Sequence, residues 1–246
     1  MGELFYLIAD WPAPHHIGAV TTTRHEGESQ LPYAGNNIAL HVGDNSMHVQ
    51  CNRQALQQRL RLPATPVWLE QTHSTRCVVV EDEATRNADA AVTRNKNYPL
   101  AIMTADCLPV ILCNREGTEI AAVHCGWRGL VGGILENTLG KMHSRAEDIL
   151  AWLGPAICCQ CFEVGREVLE VYADRYPYTQ NTFVQKGEKW LANLAKMAEL
   201  ILNAQGVKAV YSSNACTFEL ERHFYSYRRQ TQTGRMATLI WFKQDT

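Results

Sequence analysis

Between residues 66 and 124 the chain carries six short apolar runs, at 66–69, 76–81, 89–93, 100–104, 109–113 and 119–124, each closed by polar or glycine-containing sequence. Runs this short and rich in Val and Ile suit buried strands and are too brief for helices of three turns. Six of them in succession force a fold built on sheets. Ile17 to Thr23, residues 149–153, Val207 to Tyr211 and Ala237 to Phe242 read as further strands. Helical spacing appears between them. It runs from Met47 to about Arg61 behind a Ser46 cap, from Gly129 to His143, from Glu167 to Tyr176, and over 188–204. In the last stretch Trp190, Leu194, Met197 and Ile201 share one face. Strands interleaved with amphipathic helices predict an α/β protein of mixed β-sheets flanked by helices. No repeat or Pro/Ser-rich linker divides the chain, so one domain over residues 1–246 is expected.

Charge narrows the function. With 23 Lys+Arg against 25 Asp+Glu the net charge is −2, and a sequence-independent nucleic-acid binder needs a basic excess. No run approaches the ~18–20 apolar residues of a membrane span. The N-terminal stretch MGELFYLIADWPAP lacks a basic region and carries Asp10, so it does not read as an export signal and a cytoplasmic protein is expected. Nine cysteines, an odd number, then belong to a reducing compartment and stay thiols. Cys51, Cys77 and Cys113 sit in apolar-rich segments and are expected in the core. The sequence carries no signal for oligomeric state.

Three polar interruptions, EQTHS at 70–74, TADCLP at 104–109 and VHCGWRG at 123–129, stand at or near the ends of apolar runs. Rigid strands deliver side chains to loops at such places. Those delivered here are His73, Cys107 and His124. Two imidazoles and a thiolate are a normal three-ligand set for catalytic zinc, with a fourth position left open. Their spacings, 34 and 17 residues, form no local finger motif, so each taken singly reads first as a core or surface residue and only second as a ligand. Gly126, Trp127, Arg128 and Gly129 follow His124 and lead into the 129–143 segment. A glycine turn feeding a helix can hold an anion, and Arg128 would add a forked cation; a plain turn with a surface arginine fits as well. Asp106 either orients a histidine or caps a turn.

Taken together, VWLEQTHS, MTADCLPV, AAVHCGWRG, LGPAI followed by FEVG, and FYSYRR with TGRMA, in order over residues 18 to 242, resemble the YfiH family. That family is also known as the laccase-domain or multicopper polyphenol oxidase family, and as the zinc-dependent purine nucleoside phosphorylases. The resemblance implies one α/β domain with a cysteine-hydrolase-like fold and a zinc held by His73, Cys107 and His124. It implies phosphorolysis of adenosine, inosine and methylthioadenosine, with adenosine deamination as a further activity. Purine nucleosides and phosphate are the implied partners. Asn37 and His41, in NNIALHVGDN, match the family's segment near the site, and Arg228 in FYSYRR matches the arginine expected to face the pocket. The chain departs from the family pattern in three places: Cys125 where Ala is usual, Cys158-Cys159 where Gly-Pro is common, and Asn193 where Asp is frequent.

Rival chemistries fit less of the sequence. Laccase chemistry needs a blue copper site, for which Met103 could be a weak axial ligand, and a trinuclear cluster built from His-x-His pairs. No such pair occurs, so copper is read as adventitious. A cysteine hydrolase would use Cys107 as nucleophile with a histidine as base, leaving the second histidine without a role; a non-enzymatic binding module is the third reading. For phosphorolysis, Arg128 and Arg228 are the phosphate candidates, and His41 is the candidate proton donor, since imidazole titrates near 6.5. The run Cys158-Cys159-Gln160-Cys161 reads first as three thiols at a turn, with a second soft-metal site or oxidation sensing as alternatives.

Overall fold

The computed structural model describes residues 5–244. The first four residues of the apolar N-terminal stretch, and the ends of the expected 1–246 domain, lie outside them.

In chain order the first strands are β1 (Tyr6–Ile8), β2 (Ile17–Thr22), β3 (Val67–Trp68), β4 (Cys77–Val79) and β5 (Ala90–Thr93). Then come β6 (Leu100–Thr104), β7 (Leu108–Asn114), β8 (Ile120–Cys125), β9 (Ile149–Leu153) and β10 (Glu163–Val164). The last are β11 (Phe183–Lys186), β12 (Lys189–Ala192), β13 (Ala209–Ser212) and β14 (Met236–Phe242). The helices are α1 (Ser46–Arg59), α2 (Trp127–Gly132), α3 (Ile134–Leu139), α4 (Arg166–Arg175) and α5 (Leu194–Ala204). Two sheets dominate: five strands in the order β1-β2-β14-β6-β3, and six in the order β13-β9-β7-β8-β5-β4. Both are mixed, with β3–β6, β4–β5 and β9–β13 parallel and the other pairs antiparallel. A small antiparallel sheet, β10-β12-β11, stands apart.

Alternation along each strand sorts the side chains into layers. Ile17, Ala19, Leu100, Ile102, Ile240 and Phe242 of the five-stranded sheet meet Ile111, Cys113, Ile120, Ala122, Leu150 and Trp152 of the six-stranded sheet in one apolar layer. The alternate residues Val110, Leu112, Ala121, Val123, Ile149 and Ala151 face the other way and pack under Leu130, Leu135, Val168, Met197 and Ile201 of the helices. On the far side Leu56 of α1 packs with Val20, Ala101, Leu239 and Trp241. The result is an α/β/β/α sandwich, the expected mixed-sheet class. Each fully buried Ile or Leu contributes roughly 1.5–3 kcal/mol. Continuous burial along β7, β8 and β9 explains why their sequences read as plain apolar runs.

Several elements differ from expectation for local reasons. Asn45, and not Ser46, caps α1, its side chain accepting from Met47 N at 2.9 Å. The helix expected over 129–143 breaks at Gly133, whose φ is 101°. The helix expected over 188–204 begins only at Leu194, capped by Asn193. Lys189–Ala192 is instead a strand, hairpinned to Phe183–Lys186 through Gly187, with φ 61°, and Glu188; Trp190 therefore does not continue the helical stripe. Cys77 and Cys113 are buried as expected, but Cys51 is exposed on α1. No helix among the described residues is long and apolar enough to cross a membrane.

Candidate functional site

The site forms where the chain passes from one large sheet to the other. Strand β6 belongs to the five-stranded sheet and β7 to the six-stranded one, and Ala105, Asp106 and Cys107 make the crossing. Asp106 takes a left-handed φ of 91° there, an uncommon conformation for a residue with a side chain. On β8, His124 has the parity of Ile120 and Ala122, so it points into the space between the sheets at its open end. His73 stands in the loop after β3, also with a left-handed φ, of 61°.

The three residues meet. The Cys107 Sγ lies 3.7 Å from His73 Nε2, the His73 and His124 ring centroids are 4.8 Å apart, and the three donor atoms all fall within 4.8 Å of one another. A tetrahedral zinc with bonds of ~2.0–2.3 Å separates its donors by roughly 3.5 Å, so the set is of the right size. Gly126 completes the cradle. A Cβ there would stand 2.6 Å from His73 Cδ2 and 3.3 Å from the Cys107 sulfur, filling the space an ion needs.

Asp89, absent from the sequence-based candidates, fixes this arrangement. Its carboxylate accepts from His124 Nδ1 at 2.8 Å, from the backbone N–H groups of Thr72, His73 and Ser74, and from the Ser74 hydroxyl. The tautomer with Nδ1–H toward Asp89 leaves His124 Nε2 as the donor toward an ion. Burial opposes ionisation of Asp89, but the hydrogen bonds from His124 and Ser74 outweigh it and hold the carboxyl at about 2. Burial likewise pushes the Cys107 thiol up, and the facing His124 and then His73 bring it down to about 6. Burial disfavours a charged His124, yet Cys107 and Asp89 raise it to about 9. The sequence signal for Asp89 was an acid at the head of an otherwise apolar strand. Asp106 does not orient a histidine; its carboxylate accepts from Thr217 Oγ1, Ser226 Oγ and Arg228 N at 2.7, 3.0 and 2.6 Å.

A cleft of about 410 Å³ opens beside the three donors, lined also by His41, Gln71, Arg128, Phe162, Tyr227, Arg228 and Arg235. That size falls within the ~300–1,000 Å³ of small-molecule sites. Gln71 braces the His73 loop against β6 by exchanging two hydrogen bonds of 2.8 Å with the Met103 backbone. The Met103 sulfur meets Arg53 Nη2 at 3.7 Å. Arg128 lies over the Trp127 ring at 4.3 Å. Arg228 donates to Glu163 O at 2.8 Å beside the Phe162 ring. Burial, then Arg235 and Arg53, lower the pKa of His41.

Asn37 is the expected site residue that does not line the cleft. It is fully buried, donates to Ala39 O and Asp44 Oδ2, and accepts from Ala39 N and Arg235 N. It thus fixes the backbone of Arg235, a cleft cation to which no role was given from sequence although it stands within TGRMA.

Residues 18–243 match the family described as multi-copper polyphenol oxidoreductase laccase. The chain is 44% identical over 237 residues to purine nucleoside phosphorylase YfiH of Shigella flexneri, covering 96% of this chain and 98% of that protein. It is 43% identical, with the same coverage, to the protein of that name from Escherichia coli K12. Among solved structures, a Neisseria meningitidis protein superposes with a TM-score of 0.94 at 43% identity, covering 98% of this chain and 100% of that one. YlmD from Geobacillus stearothermophilus superposes with a TM-score of 0.90 at 29% identity, over 99% and 98% of the two chains. A family match over residues 18–243 and relatives above 40% identity along nearly their whole length establish that the chain belongs to the laccase-like YfiH family.

Proposed function

We propose that the chain is a cytoplasmic, zinc-dependent purine nucleoside phosphorylase, one domain over residues 1–246, acting on adenosine, inosine and methylthioadenosine, with adenosine deaminase activity at the same site. The observation that carries this reading is the sharing of one cleft by a His₂Cys donor set and three guanidinium groups. The printed name of the relatives points the same way. Zinc held by His73, Cys107 and His124 supplies a fixed positive charge and Lewis acidity at one end of the cleft.

In phosphorolysis a phosphate oxygen bonds to C1′ of the ribose while the C1′–N9 bond breaks and its electron pair leaves with the base, which then takes a proton. Arg128, Arg228 and Arg235 provide forked donors for the phosphate dianion. Phe162 and Tyr227 offer aromatic surface to the purine. His41 is the group assigned to give the leaving base its proton, and burial, then Arg235 and Arg53, lower its pKa and make its imidazolium a readier acid. Asn37 positions Arg235 in this scheme and does not touch substrate. Deamination at C6 exchanges the amino group for the oxygen of water and requires no phosphate.

A second reading, a hydrolase with Cys107 as nucleophile, is favoured by the thiol brought down to about 6 beside an imidazole. A covalent substrate adduct on Cys107 would establish it. For copper oxidation the donor sets offer less: the two metal-capable groups found among the described residues contain two histidines between them. The deciding experiment follows hypoxanthine and ribose 1-phosphate release from inosine while phosphate is varied. Base release that rises and saturates with phosphate supports the phosphorylase; base release independent of phosphate overturns it.

A further inference from the structure

Away from the donor set in the cleft, a second group of metal-capable side chains draws cysteines from two separate segments. The sulfurs of Cys158, Cys161 and Cys216 all lie within 4.8 Å of one another, and all three are free thiols. Cys158 and Cys161 bracket a tight turn in which Cys161 N and Phe162 N donate to Cys158 O at 3.1 and 3.0 Å. Cys216 arrives alongside, where Ala156 and Cys216 form a parallel bridge. In sequence the run offers adjacent cysteines, which chelate one ion poorly. The fold leaves Cys159 exposed and substitutes the buried Cys216, 55 residues beyond Cys161.

Backbone donors surround the Cys216 sulfur, although burial holds this thiol above its ordinary range and pushes Cys161 up to about 12, so without an ion the group rests as thiols. The Cys216 sulfur accepts from Cys158 N at 3.3 Å and from the backbone N–H groups of Phe218 and Glu219. Backbone cradles of this kind stabilise anionic sulfur and accompany thiolate–metal centres. Arg229, which donates to the carbonyls of Thr217 and Phe218, adds a cation next to the same loop.

We propose that Cys158, Cys161 and Cys216 form a second metal site, for a thiophilic d¹⁰ ion (zinc or copper(I)), that staples the 154–165 segment to the 212–220 segment. Donors that are all sulfur select such soft ions over magnesium or calcium, which take oxygen. The thiols bind as thiolates, so the ion displaces their protons. The staple reaches the cleft. Ile157 and Phe162 flank two of the cysteines and line the cleft wall, Ile157 N donates to Asp106 O at 3.0 Å, and Glu163 O holds Arg228.

The test uses the full chain, stripped of metal and kept reduced without oxygen. It is titrated with zinc and, in a separate arm, with copper(I), while cobalt(II) substitution counts bound thiolates by sulfur-to-cobalt charge-transfer intensity. Two zinc equivalents per chain are expected, falling to one in Cys216→Ser and in Cys161→Ser. Cys107→Ala should keep one equivalent with the intensity of three thiolates. Metal analysis of that variant as purified, before stripping, names zinc or copper(I) as the occupant. One equivalent in the wild-type chain with three thiolates bound would sustain this site and remove the zinc assigned to the cleft, so the two proposals fail separately. A single-thiolate signal in the wild-type chain, no ion in Cys107→Ala, or a disulfide among these cysteines in the anaerobically purified protein would overturn the second site.

Discussion

Two buried aspartates, Asp89 and Asp106, each gather a loop around the cleft, but they fix different things. Asp89 holds an imidazole ring directly, together with the backbone that carries His73. Asp106 holds hydroxyls and the backbone N–H of Arg228, while the Arg228 side chain remains exposed and rests on a carbonyl. The metal-capable end is therefore positioned atom by atom. The cationic end is positioned at the backbone and keeps the reach of a long side chain. An ion with bonds of ~2.0–2.3 Å tolerates little error in its donors, whereas a phosphate that enters and leaves is better met by side chains that can follow it.

The largest break in this comparison is Cys107→Ala. It should abolish zinc retention in the cleft and take phosphorolysis and deamination to background together, read by metal analysis beside both product assays. Asp89→Asn comes next. Losing the charged acceptor behind His124 should weaken cleft zinc affinity roughly 10–100-fold while the phosphate KM measured at saturating zinc stays unchanged. An equal loss of both would mean that Asp89 only supports the fold.

Arg228→Ala probes the other end. Charge-assisted contacts contribute about 1.5–3 kcal/mol, less when solvent screens them, so the phosphate KM should rise roughly tenfold. Zinc content should stay intact and adenosine deamination should survive. Arg235→Gln should raise the phosphate KM as Arg228→Ala does, and its effect on the pH profile is the smallest expected. His41 titrates below its ordinary value because of burial, then Arg235 and Arg53, so the imidazolium that donates is lost early as pH rises. Deleting the Arg235 charge should move the alkaline limb of kcat/KM to higher pH by less than about one unit. An unmoved limb would detach His41 from the reaction.

The same contrast decides what was legible in the sequence. His73, Cys107 and His124 stand at or beyond strand ends, so strand patterning made them candidates, and only the family resemblance joined them into one donor set. Asp89 was hidden because its partners, 15 to 35 residues away, belong to a loop and another strand. Arg235 and the role of Asn37 depend on a contact across 198 residues, which no local pattern encodes. Fully buried strands such as Ile149–Leu153 were plain from their apolar runs. The hairpin at Gly187 was lost because Trp190 happened to fall on the helical spacing of α5, although its side chain belongs to a strand.

In the proposed function, zinc at His73, Cys107 and His124 and phosphate at the arginines serve one reaction. The direct measurement is ribose 1-phosphate formation from inosine by metal-stripped chain, with zinc or copper restored and phosphate present or withheld. Equal amounts of hypoxanthine and ribose 1-phosphate, appearing only when zinc and phosphate are both supplied, are predicted. Undiminished base release by the metal-free chain, or release without phosphate, would contradict the account.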